Sequence, residues 1–248
     1  MIRKLLVGVG AASVVVAAAI ATDTGHFATY VNKIYSAEGL EVSYSVNEVG
    51  GAQTQYHVVL AKPNKAMIDT PAKTFVADGK NLTVYDKKLN SYFVKAQPAD
   101  LVKDIFVDEE VSLWRAFFDA KTYDKVASTK NEGTRTRRGE TLNTVSAQVD
   151  KNGEYTIRLH VSQKDSLVRQ AEFVSNMGAT QKIRIVNVES ITTGKPADAL
   201  FAFKAPANSK QLTEQDMMSA EWGHDYSKAL ENAAAFGKGV IIDFYADW

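Results

Sequence analysis

The spacing of apolar and polar residues changes period several times along this chain, and each change marks an element. Phe27, Tyr30, Val31, Ile34 and Tyr35 recur at i, i+3, i+4, i+7 and i+8, the one-sided stripe of an amphipathic helix. Asp23 or Thr24 can cap it, and Gly39 is expected to end it, as a residue free to take a positive φ. From Leu40 the period becomes two. Leu40, Val42, Tyr44 and Val46 alternate with Glu41, Ser43, Ser45 and Asn47, and after Gly50-Gly51 the alternation resumes at Tyr56, Val58 and Leu60. This is a β-hairpin. Short strands follow over 65–69, 74–77, 82–85 and 92–95, with turns at Asp78-Gly79 and over 86–90.

The alternation then breaks. Residues 98–106 read as a short helix or a loop. Asp108 is expected to cap a helix that starts at Glu109-Glu110, where acids suit the positive end of the helix dipole, and whose solvated first turn they form. Val111, Trp114, Phe117 and Phe118 give that helix a bulky apolar face, which must cover something. Strands resume at Val145, Ala147 and Val149, then over 155–161, 167–174 and 182–188, with turns at 151–153, 164–165 and 176–178. One apolar face per strand and tight polar turns describe an antiparallel meander. None of the five prolines interrupts a strand centre. Arg135-Thr136-Arg137-Arg138 reads as a basic loop, either a solvated tip or a contact for anionic lipid or a partner. Arg169 interrupts the apolar phase of Leu167, Ala171 and Phe173, as a residue at the cavity mouth or at a frayed edge would.

Near the C-terminus a helical pattern spans 225–236 (Tyr226, Ala229, Leu230, Ala233), closed by Gly237 and Gly239. Val240 to Tyr245 is then continuously apolar, the mark of a strand buried on both faces. That change of pattern sets a domain boundary near 208–220.

The N-terminus bears on compartment. Arg3 and Lys4 precede an uncharged stretch from Leu5 to Ala21 that closes on Ala19-Ile20-Ala21. A basic start, an apolar run and a small-x-small site read as an export signal cleaved after Ala21; the alternative is an uncleaved membrane anchor at the short end of the roughly 17–25 residues a span needs. Cleavage removes Arg3 and Lys4, taking Lys+Arg from 29 to 27 against 29 Asp+Glu. A mature charge near −2 argues against a nucleic-acid partner. The chain has no cysteine, so no disulfide braces it in an oxidising compartment, and no cysteine follows the apolar run to carry a lipid. An apolar fraction of 45% suits a core held by burial alone.

Catalytic chemistry is sparse. His26, His57, His160 and His224 are scattered, without the i, i+4 pairing of a metal site, and there is no Gly-rich phosphate loop, nucleophile elbow or nucleophile–base pair. No cofactor is implied, and the chain is not read as an enzyme.

Three stretches form an ordered set: Val59-Leu60-Ala61-Lys62-Pro63-Asn64-Lys65, then Val76-Ala77-Asp78-Gly79-Lys80-Asn81-Leu82-Thr83-Val84-Tyr85-Asp86, then Leu200-Phe201-Ala202-Phe203-Lys204-Ala205-Pro206. In that order they resemble the periplasmic outer-membrane lipoprotein carrier and sorting-protein superfamily over roughly residues 24–207. The resemblance implies a mainly β (α+β) fold, a strongly curved antiparallel half-barrel with a helical lid, and a cavity between them for a lipoprotein acyl chain or another apolar ligand. Val42, Tyr44, Val46, Tyr56 and Val58 would line it, and Trp114, Phe117 and Phe118 would plug it; envelope proteins are further possible partners. In the best-known carriers an arginine before Pro-Asn ties the lid shut through its carbonyls. Lys62 holds that place and is the candidate latch, although lysine lacks the rigid fork of donors.

A second resemblance covers 220–248. Ala229-Leu230 to Ala235, then Gly237-Lys238-Gly239-Val240-Ile241-Ile242-Asp243-Phe244-Tyr245-Ala246-Asp247-Trp248, is similar to the start of a thioredoxin-like domain, in which a Cys-x-x-Cys pair would follow the Trp. The expected organisation is therefore a signal at 1–21, a carrier-like domain at 22–207, a linker at 208–219 and a truncated thioredoxin-like segment at 220–248. A carrier-like binding domain is the first functional reading. The alternative is the substrate-binding or targeting part of an envelope thiol–disulfide oxidoreductase, and a packed structural domain without a ligand is the third.

Overall fold

The structure is a computed structural model that describes residues 25–48, 51–123, 126, 128–149, 154–177, 180–213, 216, 225–236 and 239–240. The segment read as an export signal, the candidate caps Asp23 and Thr24, the turn at 151–153, His224, Gly237 and the expected strand beyond Val240 lie outside the described residues.

Helix α1 (Gly25–Tyr35) buries Phe27, Tyr30, Val31 and Ile34, four of the five stripe positions, and leaves Tyr35 exposed. It ends at Tyr35 rather than at Gly39. Gly39 instead begins strand β1, where the chain passes so close to its neighbour that a Cβ would lie 2.2 Å from the Gly194 oxygen and 2.3 Å from Pro196 Cδ.

Two antiparallel meanders make one sheet. The first comprises β1 (Gly39–Glu48), β2 (Gln53–Ala61), β3 (Lys65–Asp69), β4 (Lys73–Ala77), β5 (Asn81–Asp86) and β6 (Ser91–Ala96). The second comprises β7 (Ser128–Arg137), β8 (Glu140–Gln148), β9 (Tyr155–Ser162), β10 (Val168–Met177) and β11 (Thr180–Thr193). Antiparallel pairing of β1 with β11 joins them, from Leu40 opposite Thr193 to Glu48 opposite Arg184. Lys210–Leu212, inside the stretch expected as a linker, adds β12 in parallel on β6, so the order is β12-β6-β5-β4-β3-β2-β1-β11-β10-β9-β8-β7. The result is an open, curved half-barrel sheet, mainly β.

Between β6 and β7 the chain builds an insert. The stretch expected as a short helix or a loop holds α2 (Leu101–Ile105), while the helix expected from Glu109 is not continuous but breaks into α3 (Glu109–Ser112) and two 3₁₀ turns, Arg115–Phe117 and Ala120–Tyr123. Asp108 sits at the start of α3 in extended backbone, but its side chain makes no capping hydrogen bond. The insert and α1 pack on the inner face of the sheet, and their apolar residues form one core with the inward residues of both meanders. On the outer face a smaller cluster gathers Val59, Ala61 and Met67 under Phe201, carried by the 3₁₀ turn Asp198–Phe201. Phe203 follows, tilted against Tyr92 at 5.0 Å. A last helix, α4 (Tyr226–Phe236), forms where the C-terminal helical pattern places it.

Three expectations fail in the second meander. The basic stretch at Arg135 to Arg137 is not a loop but the end of β7, an exposed edge strand; Arg138 and Gly139, both at positive φ, make the tight turn into β8. Arg169 lies at neither a frayed edge nor the mouth of a cavity. It is the extra residue of a bulge in β10, inside the sheet, and ion-pairs with Glu140 at 2.9 Å and Asp165 at 2.7 Å. Asn176 and Met177 are likewise the end of β10 rather than a turn.

Candidate functional site

The inner face is built by the pleat. Val42, Tyr44 and Val46 on β1 share one parity, and the register sets Val42 opposite Val58 and Tyr44 opposite Tyr56 on β2. Val42, Tyr44, Val46 and Val58 are buried, and Tyr56 is half-buried against the same core. The Tyr44 and Tyr56 rings stack at 5.1 Å, and Trp114 packs on Tyr44 at 5.7 Å. Trp114 and Phe117 are fully buried. Phe118 is half-buried and meets Phe117 edge-on at 4.9 Å, with Phe106 beyond it at 6.3 Å. The structure therefore collects the expected residues into two neighbouring aromatic groups, one on β1–β2 around Trp114 and one around Phe117. The side chains themselves fill the inner face.

Short, irregular helices leave carbonyls without intrahelical partners. Three side chains from three different elements supply donors to them. Tyr30 Oη of α1 donates to the Leu113 carbonyl at 3.0 Å, Tyr44 Oη of β1 donates to the Glu110 carbonyl at 3.0 Å, and Lys62 Nζ, just past β2, donates to the Phe117 carbonyl. Burial pushes the Tyr44 phenol well above its usual value, so it remains a neutral donor. Lys62 also lies over the rings of Tyr35 at 4.4 Å and Phe117 at 4.8 Å. Burial lowers its pKa, and Glu38 opposes that. With the Phe118 ring at 5.8 Å, one ammonium thus makes a hydrogen bond and three ring contacts where a guanidinium would offer a fork.

A cleft of about 480 Å³ opens beside Lys62, between Pro63-Asn64, the start of α2 and Arg115-Phe118-Asp119. Asp100, Lys103, Arg115 and Asp119 make its wall charged. It is a solvent-facing groove at the edge of the insert rather than a space beneath it.

One charged group escapes a reading from the sequence. Glu110, expected in a solvated turn, is buried, and its carboxylate meets Arg184 Nη1 of β11 at 2.5 Å, while Glu109 pairs with the same guanidinium. Burial raises the Glu110 carboxyl above its usual range, a backbone N–H bond opposes the rise, and the charges of Asp108 and Glu48 add to it. The signal for it is Arg184 itself, which shares the apolar phase of Val186 and Val188 and so has to point at the insert. Tyr155 of β9 reaches the same region. Its buried hydroxyl has no hydrogen-bond partner, and burial, with the Glu110 charge, pushes it up to about 12.

No protein-family model matches the chain, and no curated protein sequence is similar to it. Solved structures align with most of the chain at low similarity. An uncharacterized conserved protein from Thermus thermophilus aligns at TM-score 0.46 with 11% identity, over 74% of this chain and 94% of its own. LprF from Mycobacterium bovis aligns at 0.43 with 11% identity, over 70% and 93%. A LolA superfamily protein from Nitrosomonas europaea aligns at 0.33 with 10% identity, over 73% and 97%. The likeness is one of fold. Nothing in it bears on the thioredoxin-like segment. Among the described residues no three His, Asp or Glu side chains gather as a metal site, and no helix is long and apolar enough to cross a membrane.

Proposed function

We propose that the chain is an exported, periplasmic carrier-like domain that binds a lipoprotein acyl chain or another apolar ligand between its curved sheet and the insert, with Lys62 as the latch. The observation that carries this reading is how the insert is held. Its four short helical pieces contribute no strand to the sheet, and three separate side-chain donors fasten its carbonyls over an apolar face. Each of Trp114 and Phe117 gains about 2–3 kcal/mol from burial there, and an acyl chain entering in their place restores that apolar contact. The insert can therefore exchange places with a ligand at a small net change in buried apolar contact. Val42, Tyr44, Val46, Tyr56 and Val58 would then line the ligand.

Titration of the full chain with a fluorescent long-chain acyl probe tests this. Saturable binding is expected, weakened or strengthened at least severalfold by Trp114→Ala combined with Phe117→Ala. Absence of saturable binding, or binding indifferent to that double change, rejects the reading.

A further inference from the structure

The inner face carries a cation where an all-apolar ligand would want none. Arg184 follows the inward parity of Val186 and Val188 and stands opposite Phe173 on β10 and Glu48 on β1. Both of its ion pairs go to the insert, to Glu110 and Glu109. Its side chain is 32% exposed while that of Glu110 is 10% exposed, so the pair lies at the rim, with the carboxylate on the inner side. Tyr155, on the same face as Ile157 and Leu159, brings a buried hydroxyl that donates to nothing. The rim is continuous with the apolar site, because Tyr44 donates to the Glu110 carbonyl and its ring packs on Trp114. At this end the sheet therefore offers a guanidinium and a phenol, both donors, and the insert supplies the acid.

Resting on the proposed carrier function, we propose that the ligand is an amphiphile with an anionic head, a carboxylate or a phosphate ester, and that Glu109 and Glu110 occupy the head position in the closed state. When the insert leaves, Arg184 loses its acid partners and the Tyr155 hydroxyl is still unpaired, both beside an apolar surface. A ligand that fills the face completely has to return a negative group to Arg184 and lay its chain over Tyr44 and Tyr56. A planar guanidinium suits either head, since both present two oxygens to its paired N–H groups. The insert is in this sense a mimic of its ligand, with carboxylates at the rim and the Trp114 indole along the chain path.

The test compares a dansyl-labelled undecanoic acid with its methyl ester on the full chain. The acid should bind on the order of tenfold tighter than the ester, as loss of a charge-assisted bond implies. Glu109→Gln combined with Glu110→Gln should tighten acid and ester alike, by about tenfold, because neither probe then has to break the closed-state ion pair, and should keep the preference for the acid. Because Arg184→Gln alone strands a buried carboxylate, it is made together with Glu110→Gln, and that pair should erase the preference for the acid. Equal binding of acid and ester by the native protein, or a preference that survives loss of Arg184, overturns the proposal while leaving the carrier function standing. Displacement of the probe by acetate or inorganic phosphate as readily as by a long-chain acid also overturns it, since the site would then be a plain anion site. If neither probe binds, the carrier function itself falls and this inference with it.

Discussion

Lys62 and Gly39 are the two residues whose chemistry the local sequence explains least and the tertiary contacts explain fully. A lysine cannot imitate the two-pronged grip of an arginine, yet Lys62 reaches the Phe117 carbonyl and shelters under the rings of Tyr35 and Phe117. Replacing it with methionine keeps the apolar stem and removes the donor, leaving a part-buried carbonyl unpaired. That should cost about 1–2 kcal/mol, a fall of several degrees in the melting temperature for a domain of this size, and should speed association of the acyl probe measured by stopped flow. Lys62→Arg should retain stability within about 0.5 kcal/mol, the usual scatter of a tolerated change. A methionine variant as stable and as slow to load as the native chain would remove Lys62 from the latch. At Gly39 the constraint is steric. Alanine there would place a Cβ 2.2 Å from a backbone oxygen that cannot swing away, so β1 or the Gly194–Pro196 segment must shift, at about 1–3 kcal/mol. Thermal unfolding of Gly39→Ala checks it, and an unchanged midpoint would contradict the close approach.

Elements are legible wherever one face meets the core. β1 to β6 and β8 to β9 announce themselves because inward residues such as Val42, Tyr44, Leu159 and Val161 alternate with outward polar ones. β7 does not, because it is an edge strand exposed over nearly its whole length, and Thr-Lys-Asn-Glu-Gly-Thr-Arg has no apolar phase to show. Its bulge at Gly133, held at φ +92°, suits an edge that must not recruit another strand. β10 is half legible: the bulge inserts Arg169 and breaks the phase at the point where the alternation falters. The part of the insert from Glu109 on reads as one helix because Val111, Trp114, Phe117 and Phe118 do fall at helical spacing. Its three-dimensional course is set instead by the carbonyl partners Tyr30, Tyr44 and Lys62, which lie 83, 66 and 55 positions away and leave no local trace. The aromatic half of the candidate site is therefore visible in the sequence, and the Arg184–Glu110 half is not, since an ion pair across 74 positions has no period. Within the insert, Trp114 is the largest fully buried side chain. Trp114→Ala should destabilise by about 3–5 kcal/mol, and Phe118→Ala, only half-buried, by clearly less; denaturant midpoints at matched m-values would expose a reversal of that order.

Across the whole molecule the two meanders are pinned by different chemistry. Among the described residues, the ion pairs of the first meander and α2 use lysine or histidine, at Lys65–Asp198, Lys87–Asp69, Lys95–Asp104, Lys103–Asp100 and His57–Glu41. Those of the second use arginine, and one group of them gathers around a histidine. His160, 2% exposed, accepts or donates at Thr144 on one nitrogen and meets Glu172 at 3.0 Å and Arg135 at 3.1 Å on the other, while Arg158 ties Glu172 to Glu132. Arg137 reaches the Arg169 carbonyl and Asn187 although β8, β9 and β10 lie between β7 and β11 in the sheet, so the twisted edge folds over this cluster. Acid should act on this half in two stages. Burial lowers the His160 pKa below 6.5, against the pull of Glu172; between that folded value and 6.5 only the unfolded chain holds the proton, so stability begins to fall as pH drops past 6.5. Glu172 is pushed up by burial but held below 4.5 by its bonds to His160 and Arg158, and Glu140 is held below 4.5 by the Ser162 hydroxyl and Arg169. Their contribution is complete above 4.5 and is lost as pH falls through their lower folded values. Melting temperatures taken from about pH 8 down to about pH 3 should thus bend first near 6.5 and again below 4.5. His160→Gln should abolish the first bend and keep the second, and parallel curves for variant and native protein between those two values would show that His160 titrates alike in the folded and unfolded chain.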